Sequence, residues 1–159
     1  MRVLVGGIGN VFLGDDGFGV AVVERLRTQP LPPEVDAVDF GIRGVDLAYA
    51  LSEYEAASLV DTVRRGGEAG TLYVLEPDVP PGTAGVAPHA MTPERVLQWL
   101  PPGGAPRILR LVGCEPGDFG PEGLGREGLS GPVLASVEEA VRLVKMLLHE
   151  LLPGDAVHA

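Results

Sequence analysis

Short apolar runs, several of them rich in β-branched residues, alternate along this chain with segments of helical periodicity. The predicted strands are Arg2–Gly6, Val35–Phe40, Ala57–Val60, Thr71–Leu75 and Arg107–Gly113. The predicted helices begin after Gly14, at Val45, at Pro93 and at about Pro132; the third ends at about Trp99 and the last at about Leu152. The last helix has an apolar stripe, and Glu138 and Arg142 are spaced to form an i,i+4 ion pair on it. The stripe consists of Val133, Val137, Val141, Val144, Leu148 and Leu151. Strands that alternate with helices form a mainly parallel sheet with helices on both faces, so we expect an α/β fold.

The length and charge of the chain narrow the classes of protein to which it can belong. Its 159 residues favour a single domain spanning 1–159, and we expect the tail after about Leu152 to be flexible. The formal net charge of −10 argues against nucleic acid and against anionic membrane surfaces, because both bind clustered Lys and Arg.

The compartment follows from what the sequence lacks. No run reaches the roughly 18 apolar residues that cross a bilayer, and the start of the chain is too short and too rich in glycine for a signal peptide. The single cysteine, Cys114, cannot form an intramolecular disulfide, so nothing calls for an oxidising compartment. We therefore expect a cytoplasmic protein.

The glycine loop after the first predicted strand does not match a nucleotide-binding loop. Gly7-Ile8-Gly9 opens like a dinucleotide fingerprint, but Phe12 stands where the third glycine belongs. Asp15 and Asp16 then lie where a phosphate would bind, and their carboxylates would repel it. A Gly-Lys-Ser/Thr phosphate loop does not occur. A small-ligand binding module of the nucleotide type remains only as a competing hypothesis.

Three loops carry polar residues at the expected carboxyl ends of strands, where α/β sheets bind their ligands. They are Asn10–Asp16, Asp61–Thr62 and, if the fourth strand runs in the same sense, Glu76–His89. Each residue also has an ordinary structural interpretation: Asp15 or Asp16 as a helix cap, Asp61 as a turn former, and His89 as a solvated or packed histidine. Together, two carboxylates and an imidazole suit a divalent transition metal and leave coordination positions open.

The opening segment Gly7–Gly19 resembles a motif of the nickel–iron (NiFe) hydrogenase maturation endopeptidases, Gly-x-Gly-Asn-x-x-x-x-Asp-(Glu/Asp)-Gly-x-Gly. The likeness continues along nearly the whole chain, as far as about Leu152. It is carried by Asp39-Phe40-Gly41, Leu59-Val60-Asp61, Pro88-His89-Ala90-Met91, Val112-Gly113-Cys114-Glu115-Pro116 and Leu129-Ser130-Gly131-Pro132-Val133. The resemblance implies a three-layer α/β/α sandwich around a mixed, mainly parallel, five-stranded sheet with one antiparallel strand.

The resemblance also implies an activity. The family removes a C-terminal extension from the hydrogenase large-subunit precursor once that subunit holds nickel. By resemblance, the nickel-contacting residues are Asp16, Asp61 and His89, and the partner is the large-subunit precursor. Ni(II) would be supplied by that substrate, and other divalent ions would be able to substitute in isolation.

Two mechanisms are compatible with these residues. In one, the ion polarises the scissile carbonyl or activates a bound water. In the other, which is an aspartic-type hydrolysis, the residues only recognise nickel, and Asp15 or Asp16 acts as general base. The sequence does not decide between them. A non-catalytic metal-sensing chaperone that uses the same residues is the alternative function.

Other hydrolytic chemistries fit the sequence poorly. Cys114 follows a predicted buried strand without an adjacent His or Lys to activate it, and no His-Glu-x-x-His motif occurs.

The candidates for a substrate-holding loop are Asn10, Gly41 and Arg43. Many family members have Thr where Ile42 stands, followed by a small residue, so Arg43 is a departure that could meet a substrate carboxylate or remain solvated.

Overall fold

The computed structural model describes residues 1–77, 96–98, 100, 101 and 103–153. Its strands are β1 (Val3–Ile8), β2 (Val35–Gly41), β3 (Ala56–Thr62), β4 (Leu72–Leu75) and β5 (Ile108–Cys114). Its α-helices are α1 (Phe18–Leu26), α2 (Gly44–Leu51) and α3 (Gly131–Leu151), and a short 3₁₀ helix spans Gly14–Gly17. Each described element overlaps one predicted from the apolar periodicity, with ends shifted by a few residues.

The five strands form one mixed sheet in the order β2-β1-β3-β5-β4. The first four strands in that order are parallel, and Val3 of β1 is in register with Val35 of β2 and Ala56 of β3. β4 pairs antiparallel with β5. The expected α/β fold with a mixed, mainly parallel, five-stranded sheet is confirmed.

Both faces of the sheet are covered, which confirms the three-layer arrangement. On one face α1 packs on β1, β2 and β3, and α3 packs on α1, β3 and β5; the buried side chains there include Val5, Phe18 and Val144. On the other face, α2 contributes Leu47 and Leu51 to a second cluster, which also holds Val96 and Leu97 from the short described stretch 96–98. The predicted apolar stripe of the last helix faces the core, since Leu151 is half-buried and its other members are buried. The buried members are Val133, Val137, Val141, Val144 and Leu148.

The close fit between α1 and the sheet depends on glycine. A Cβ atom on Gly19 would lie 2.1 Å from the carbonyl oxygen of Val60 in β3 and 2.4 Å from that of Ile8 in β1. Only a residue without a side chain allows the first turn of α1 to approach both strands. This contact brings the 3₁₀ helix before α1 to the carboxyl ends of β1 and β3. We call this side of the sheet, where the parallel strands end, the sheet edge.

Two local expectations were wrong. Asp15 and Asp16 do not cap α1, because its N-cap is Gly17 and the side chains of both aspartates bind elsewhere. Glu138 does not pair with Arg142 within α3: it pairs with Arg25 of α1, while Arg142 pairs with Glu139. Both errors arise because a partner from elsewhere in the fold competes with the nearest neighbour along the chain.

The fourth strand does not run in the same sense as the others. Leu72 at the start of β4 pairs with Cys114 at the end of β5, and Leu75 pairs with Leu111. Glu76 therefore leaves the sheet at the edge opposite Asp16 and Asp61, and it forms an ion pair with Arg110. His89 and most of the helix expected from Pro93 to Trp99 lie outside the described residues. Within the described part of the chain, the helices are too short or too polar to cross a bilayer.

Candidate functional site

Asp16 is held at the sheet edge by the loop that follows β1. The backbone N–H of Asn10 donates a hydrogen bond of 2.9 Å to Oδ2 of Asp16. The side chain of Asn10 accepts one of 2.9 Å from the N–H of Phe12, and its carbonyl oxygen accepts one of 3.0 Å from the N–H of Leu13. These bonds close a compact turn around a half-buried carboxylate, so the direction of Asp16 is set before any ligand binds.

Asp61 lies beside Asp16, at the carboxyl end of β3. Its Oδ1 accepts a hydrogen bond of 2.7 Å from the N–H of Thr62. The hydroxyl oxygen of Thr62 lies 3.4 Å from Oδ1 of Asp16 and 3.5 Å from Oδ1 of Asp61. One hydroxyl group therefore lies between the two carboxylates that sequence analysis grouped as candidate ligands.

The space in front of these carboxylates depends on Gly9, whose φ is +140°. A Cβ atom there would lie 1.8 Å from the carbonyl oxygen of Asp16 and 3.7 Å from Oδ1 of Asp61. The N–H of Gly9 donates a hydrogen bond of 2.9 Å to the carbonyl oxygen of Gly41, which closes the edge on the β2 side. Any side chain at Gly9 would clash with the turn and crowd the site.

Asp39 is a further acidic residue at this edge, and it was not among the site residues predicted from the sequence. It lies near the carboxyl end of β2, and its Oδ1 is 3.6 Å from the position that a Cβ atom of Gly41 would occupy. That oxygen is buried, and no hydrogen-bond donor reaches it among the residues that the structure describes. A buried carboxylate oxygen without a donor is costly, and such groups are found at functional sites. The sequence feature that could have identified Asp39 is its position, as an acidic residue near the end of the strand next to β1.

Asp15 is adjacent to Asp16 in sequence but has different surroundings. It is fully buried, and its two carboxylate oxygens accept four hydrogen bonds of 2.7 to 2.8 Å. The donors are the N–H groups of Gly117, Asp118 and Ser130 and the hydroxyl of Ser130. Burial raises the pKa of the carboxyl, but these hydrogen bonds outweigh it and hold the pKa below its usual value. Asp15 joins the 3₁₀ helix to the long loop before α3, and this arrangement favours a structural role over proton transfer.

Glu115 also joins two distant parts of the chain, a role that the sequence did not reveal. Its Oε1 accepts hydrogen bonds of 2.8 to 2.9 Å from the N–H groups of Arg65 and Gly67 and from the hydroxyl of Tyr73. Burial raises the pKa of the Glu115 carboxyl, but the hydrogen bonds have the larger effect and hold this pKa below its usual value. Glu115 thereby holds the loop after Asp61 against the end of β5.

Two of the three substrate-loop candidates, Gly41 and Arg43, lie at the β2 side of the same edge, whereas Asn10 is in the loop after β1. Gly41 has a φ of +53°, which glycine tolerates, and Arg43 follows two residues later. One guanidinium nitrogen of Arg43 donates 2.6 Å to the carbonyl oxygen of Asp39, and another lies 3.6 Å from a carboxylate oxygen of Asp46. The side chain remains largely exposed, so Arg43 is oriented by the protein and still accessible.

The described residues supply two of the three expected metal ligands. Asp16 and Asp61 are brought together, whereas His89 lies outside the described residues. Among the described residues, no group of three or more His, Cys, Asp or Glu side chains is arranged to hold a metal ion. Two carboxylates at one edge are hard oxygen donors that can complete the shell of a divalent ion already held by other ligands.

Cys114 is unsuited to nucleophilic attack. It is fully buried at the end of β5, where its sulfur lies 3.4 Å from the hydroxyl oxygen of Ser136. Burial raises the pKa of the thiol, which disfavours the reactive thiolate.

Known proteins with similar sequences form one group. A family model described as hydrogenase maturation protease matches residues 20–147. The chain is 34% identical to the hydrogenase expression/formation protein HupD of Rhodobacter capsulatus, over 98% of this chain and 77% of that protein. It is 31% identical to the hydrogenase 2 maturation protease of Escherichia coli, over 99% of each chain.

Solved structures give the same grouping. The hydrogenase maturating endopeptidase HybD of Escherichia coli matches with a TM-score of 0.79 at 32% identity, covering 94% of this chain and 93% of that one. The NiFe hydrogenase maturation protease HycI of Thermococcus kodakarensis matches with a TM-score of 0.66 at 30% identity, covering 96% of this chain and 93% of that one. These similarities confirm the resemblance carried by the Gly7–Gly19 motif.

Proposed function

We propose, on the premise that this chain belongs to the hydrogenase maturation protease family, that it removes the C-terminal extension of a nickel-loaded NiFe hydrogenase large-subunit precursor. The observation that carries the proposal is the meeting of Asp16 and Asp61 at one sheet edge, with the hydroxyl of Thr62 within 3.5 Å of both carboxylates. The relatives' names supply the substrate class, and this pair of carboxylates supplies a place for its metal centre.

In this proposal nickel is part of the substrate. The precursor brings Ni(II) on its own ligands, and Asp16 and Asp61, together with His89 as the resemblance implies, contact the open positions. Two carboxylates and one imidazole leave room for donors from the substrate, and the protease needs no thiolate of its own. Other divalent ions would be able to occupy the same ligands in the isolated protein.

The contacts of the two adjacent aspartates support different roles for them in this proposal. A general base has to reach a water molecule, and Asp15 is buried with four hydrogen-bond donors on its oxygens. Asp16 is half-buried at the edge, so it is the group that would take a proton from an attacking water or contact nickel. Asp15 would hold the 3₁₀ helix that carries it.

A processing assay tests the proposal. Purified chain is incubated with the nickel-loaded precursor, and the mass of the precursor is followed. We expect a loss equal to the C-terminal extension, and we expect none when nickel-free precursor is used. Stable binding without any loss of mass would contradict the peptidase function and favour the alternative, a metal-sensing chaperone. Processing of nickel-free precursor at the same rate would remove nickel from the proposal.

The compartment proposed for this reaction is the cytoplasm. Cys114 is the only cysteine of the chain, so the fold contains no intramolecular disulfide. Its stability therefore does not depend on an oxidising compartment.

A further inference from the structure

An exposed apolar surface lies next to the candidate site. It consists of Val11, Phe12, Leu13 and Leu124, and we call it the Phe12 surface. The exposed fraction is 64% for Phe12 and 84% for Leu124, and Val11 and Leu13 are also exposed. Large apolar side chains that gather on a surface mark sites of interaction with other proteins far more often than single exposed ones do.

The two segments that form the Phe12 surface are held together by their backbones. The N–H of Arg126 donates 2.9 Å to the carbonyl oxygen of Phe12, and the N–H of Gly14 donates to the carbonyl oxygen of Arg126. A Cβ atom on Gly125 would lie 2.2 Å from the carbonyl oxygen of Phe12 and 3.3 Å from Cδ2 of Leu13. Leu124 is therefore held beside Phe12. Because the two loops are already ordered, docking would cost little conformational entropy.

The position of this surface indicates what covers it. The N–H of Asp16 donates 3.1 Å to the carbonyl oxygen of Leu13, and Asn10, which orients the Asp16 carboxylate, is only two residues from Phe12. Adjacent Cα atoms are about 3.8 Å apart, so a chain bound over Phe12 lies within a few residues' reach of Asp16 and Asp61. A polypeptide substrate whose metal centre meets those carboxylates therefore lies within reach of this surface.

The charges around the Phe12 surface define the chemistry of the occupant. Arg126 is the only basic residue in segments 10–16 and 121–128, which form this surface, and it is paired with Asp118. Its charge is thereby compensated, and the four side chains that define the surface are uncharged. An apolar centre with a polar rim is the usual anatomy of a protein interface.

We infer that the Phe12 surface docks an uncharged, apolar stretch of the large-subunit precursor and so holds the precursor while its metal centre meets Asp16 and Asp61. This inference rests on the proposed function. The surface contributes affinity and takes no part in bond cleavage, so its loss should raise KM and leave kcat nearly unchanged.

The test compares the double variant Phe12→Ser/Leu124→Ser with Met146→Ser. Met146 is 59% exposed on α3, close to the exposure of Phe12, and it lies fifteen residues beyond the start of that helix. At a rise of about 1.5 Å per residue, this places it roughly 22 Å along the helix from the sheet edge where α3 begins. All three side chains are exposed, so thermal melts should stay near that of the wild type.

Two readouts are needed, and both use the nickel-loaded precursor as the probe. In steady-state processing, we expect the double variant to raise KM by about tenfold or more, with kcat within about twofold of the wild type. In direct calorimetric binding, we expect the dissociation constant to rise by a similar factor. Met146→Ser should change neither value.

Four outcomes would overturn the inference. Three are kinetic: the double variant leaves the dissociation constant and KM unchanged, it lowers only kcat, or Met146→Ser has an equal effect. The fourth is a self-association of the wild type that the double variant abolishes while KM stays constant. The last outcome would show that a second copy of this chain is the occupant.

If the wild type binds the precursor without cutting it, the proposed function fails, but the loss of binding in the double variant still supports the docking surface. If the wild type does not bind the precursor at all, both fail.

Discussion

The backbone N–H of Asn10 donates a hydrogen bond to the carboxylate of Asp16, six residues ahead of it. This bond turns the loop after β1 back on itself and keeps the Asp16 side chain at the sheet edge, where it does not cap α1. The same edge receives Asp61 from β3, because adjacent parallel strands end together. The acidic pair is therefore a consequence of strand order as well as of the local loop.

The first prediction concerns the candidate ligands. Asp16→Ala, Asp61→Asn and His89→Ala should each abolish processing of the nickel-loaded precursor, because each removes a proposed contact to its nickel. Asp16 accepts hydrogen bonds only at the rim of the fold, so Asp16→Ala should lower the free energy of unfolding by about 1 kcal/mol or less. Mass spectrometry measures the processing, and urea denaturation measures the stability.

The control for these variants is Glu24→Gln on the exposed side of α1, which also removes one negative charge. It should process the precursor at the wild-type rate. A fully active Asp16→Ala variant would remove Asp16 from the site, and an unfolded one would favour a structural interpretation.

The second prediction separates Asp15 from Asp16. Asp15→Asn should lower the free energy of unfolding by about 3 kcal/mol, because the amide cannot accept from all of the donors gathered around the buried carboxylate. Ser130→Ala removes one donor and should cost about 1 kcal/mol. Loss of processing by a fully folded, fully stable Asp15→Asn variant would instead restore Asp15 as a catalytic group.

The third prediction is a dependence of stability on pH. The pKa of Asp15 is held below 3.8 in the folded protein, so the unfolded state binds more protons in the acid range. The stabilisation is complete above about pH 5 and is lost as pH falls through 3.8 and below. Urea midpoints measured across this range should fall more steeply for the wild type than for Asp15→Asn. Equal slopes would show that Asp15 contributes nothing to the acid sensitivity.

Much of the fold could be predicted, because strands and helices differ in the spacing of apolar residues. The meeting of Asp16 and Asp61 was predictable for a related reason: both follow strands that run parallel in one sheet. The partners of Asp15 were not, since they come from Gly117, Asp118 and Ser130, more than a hundred residues later. No local spacing reveals such a contact.

The apolar pattern did not reveal the direction of β4; the family resemblance implied one antiparallel strand without identifying which strand it was. The strand has four residues, and its apolar pattern is the same whichever way it runs. Its antiparallel pairing with β5 sends Glu76 to the far edge, so the simple rule that loops after strands share one edge failed there.

The fourth prediction concerns the contact between α1 and the sheet. Gly19→Ala should destabilise the fold by about 3 kcal/mol or more, because its Cβ would overlap the carbonyl oxygens of Val60 and Ile8. Gly131→Ala, at the start of α3, is the matched control, since nothing lies within 4 Å of the Cβ position there. It should change the free energy of unfolding by only a few tenths of a kcal/mol in either direction. Equal urea midpoints for the two variants would contradict the proposed close approach.

The fifth prediction concerns Arg43, one of the candidates for a substrate-holding loop. Its guanidinium is oriented by the carbonyl oxygen of Asp39 but remains exposed, so it can meet a substrate carboxylate. Arg43→Ala should raise KM for the precursor by about two- to fivefold, as expected for the loss of one exposed ion pair. Arg43→Lys should keep most of that affinity.

Ionic strength supplies the diagnostic test for Arg43. An ion pair with the substrate is screened by salt, so the difference in KM between wild type and Arg43→Ala should shrink as NaCl rises from about 0.05 to 0.5 M. The control is Arg142→Ala, whose side chain is similarly exposed on α3 and pairs with Glu139. It should leave KM unchanged at every salt concentration. If Arg43→Ala lowers stability without changing KM, Arg43 only supports the loop before α2, and the substrate carboxylate must be bound elsewhere or not at all.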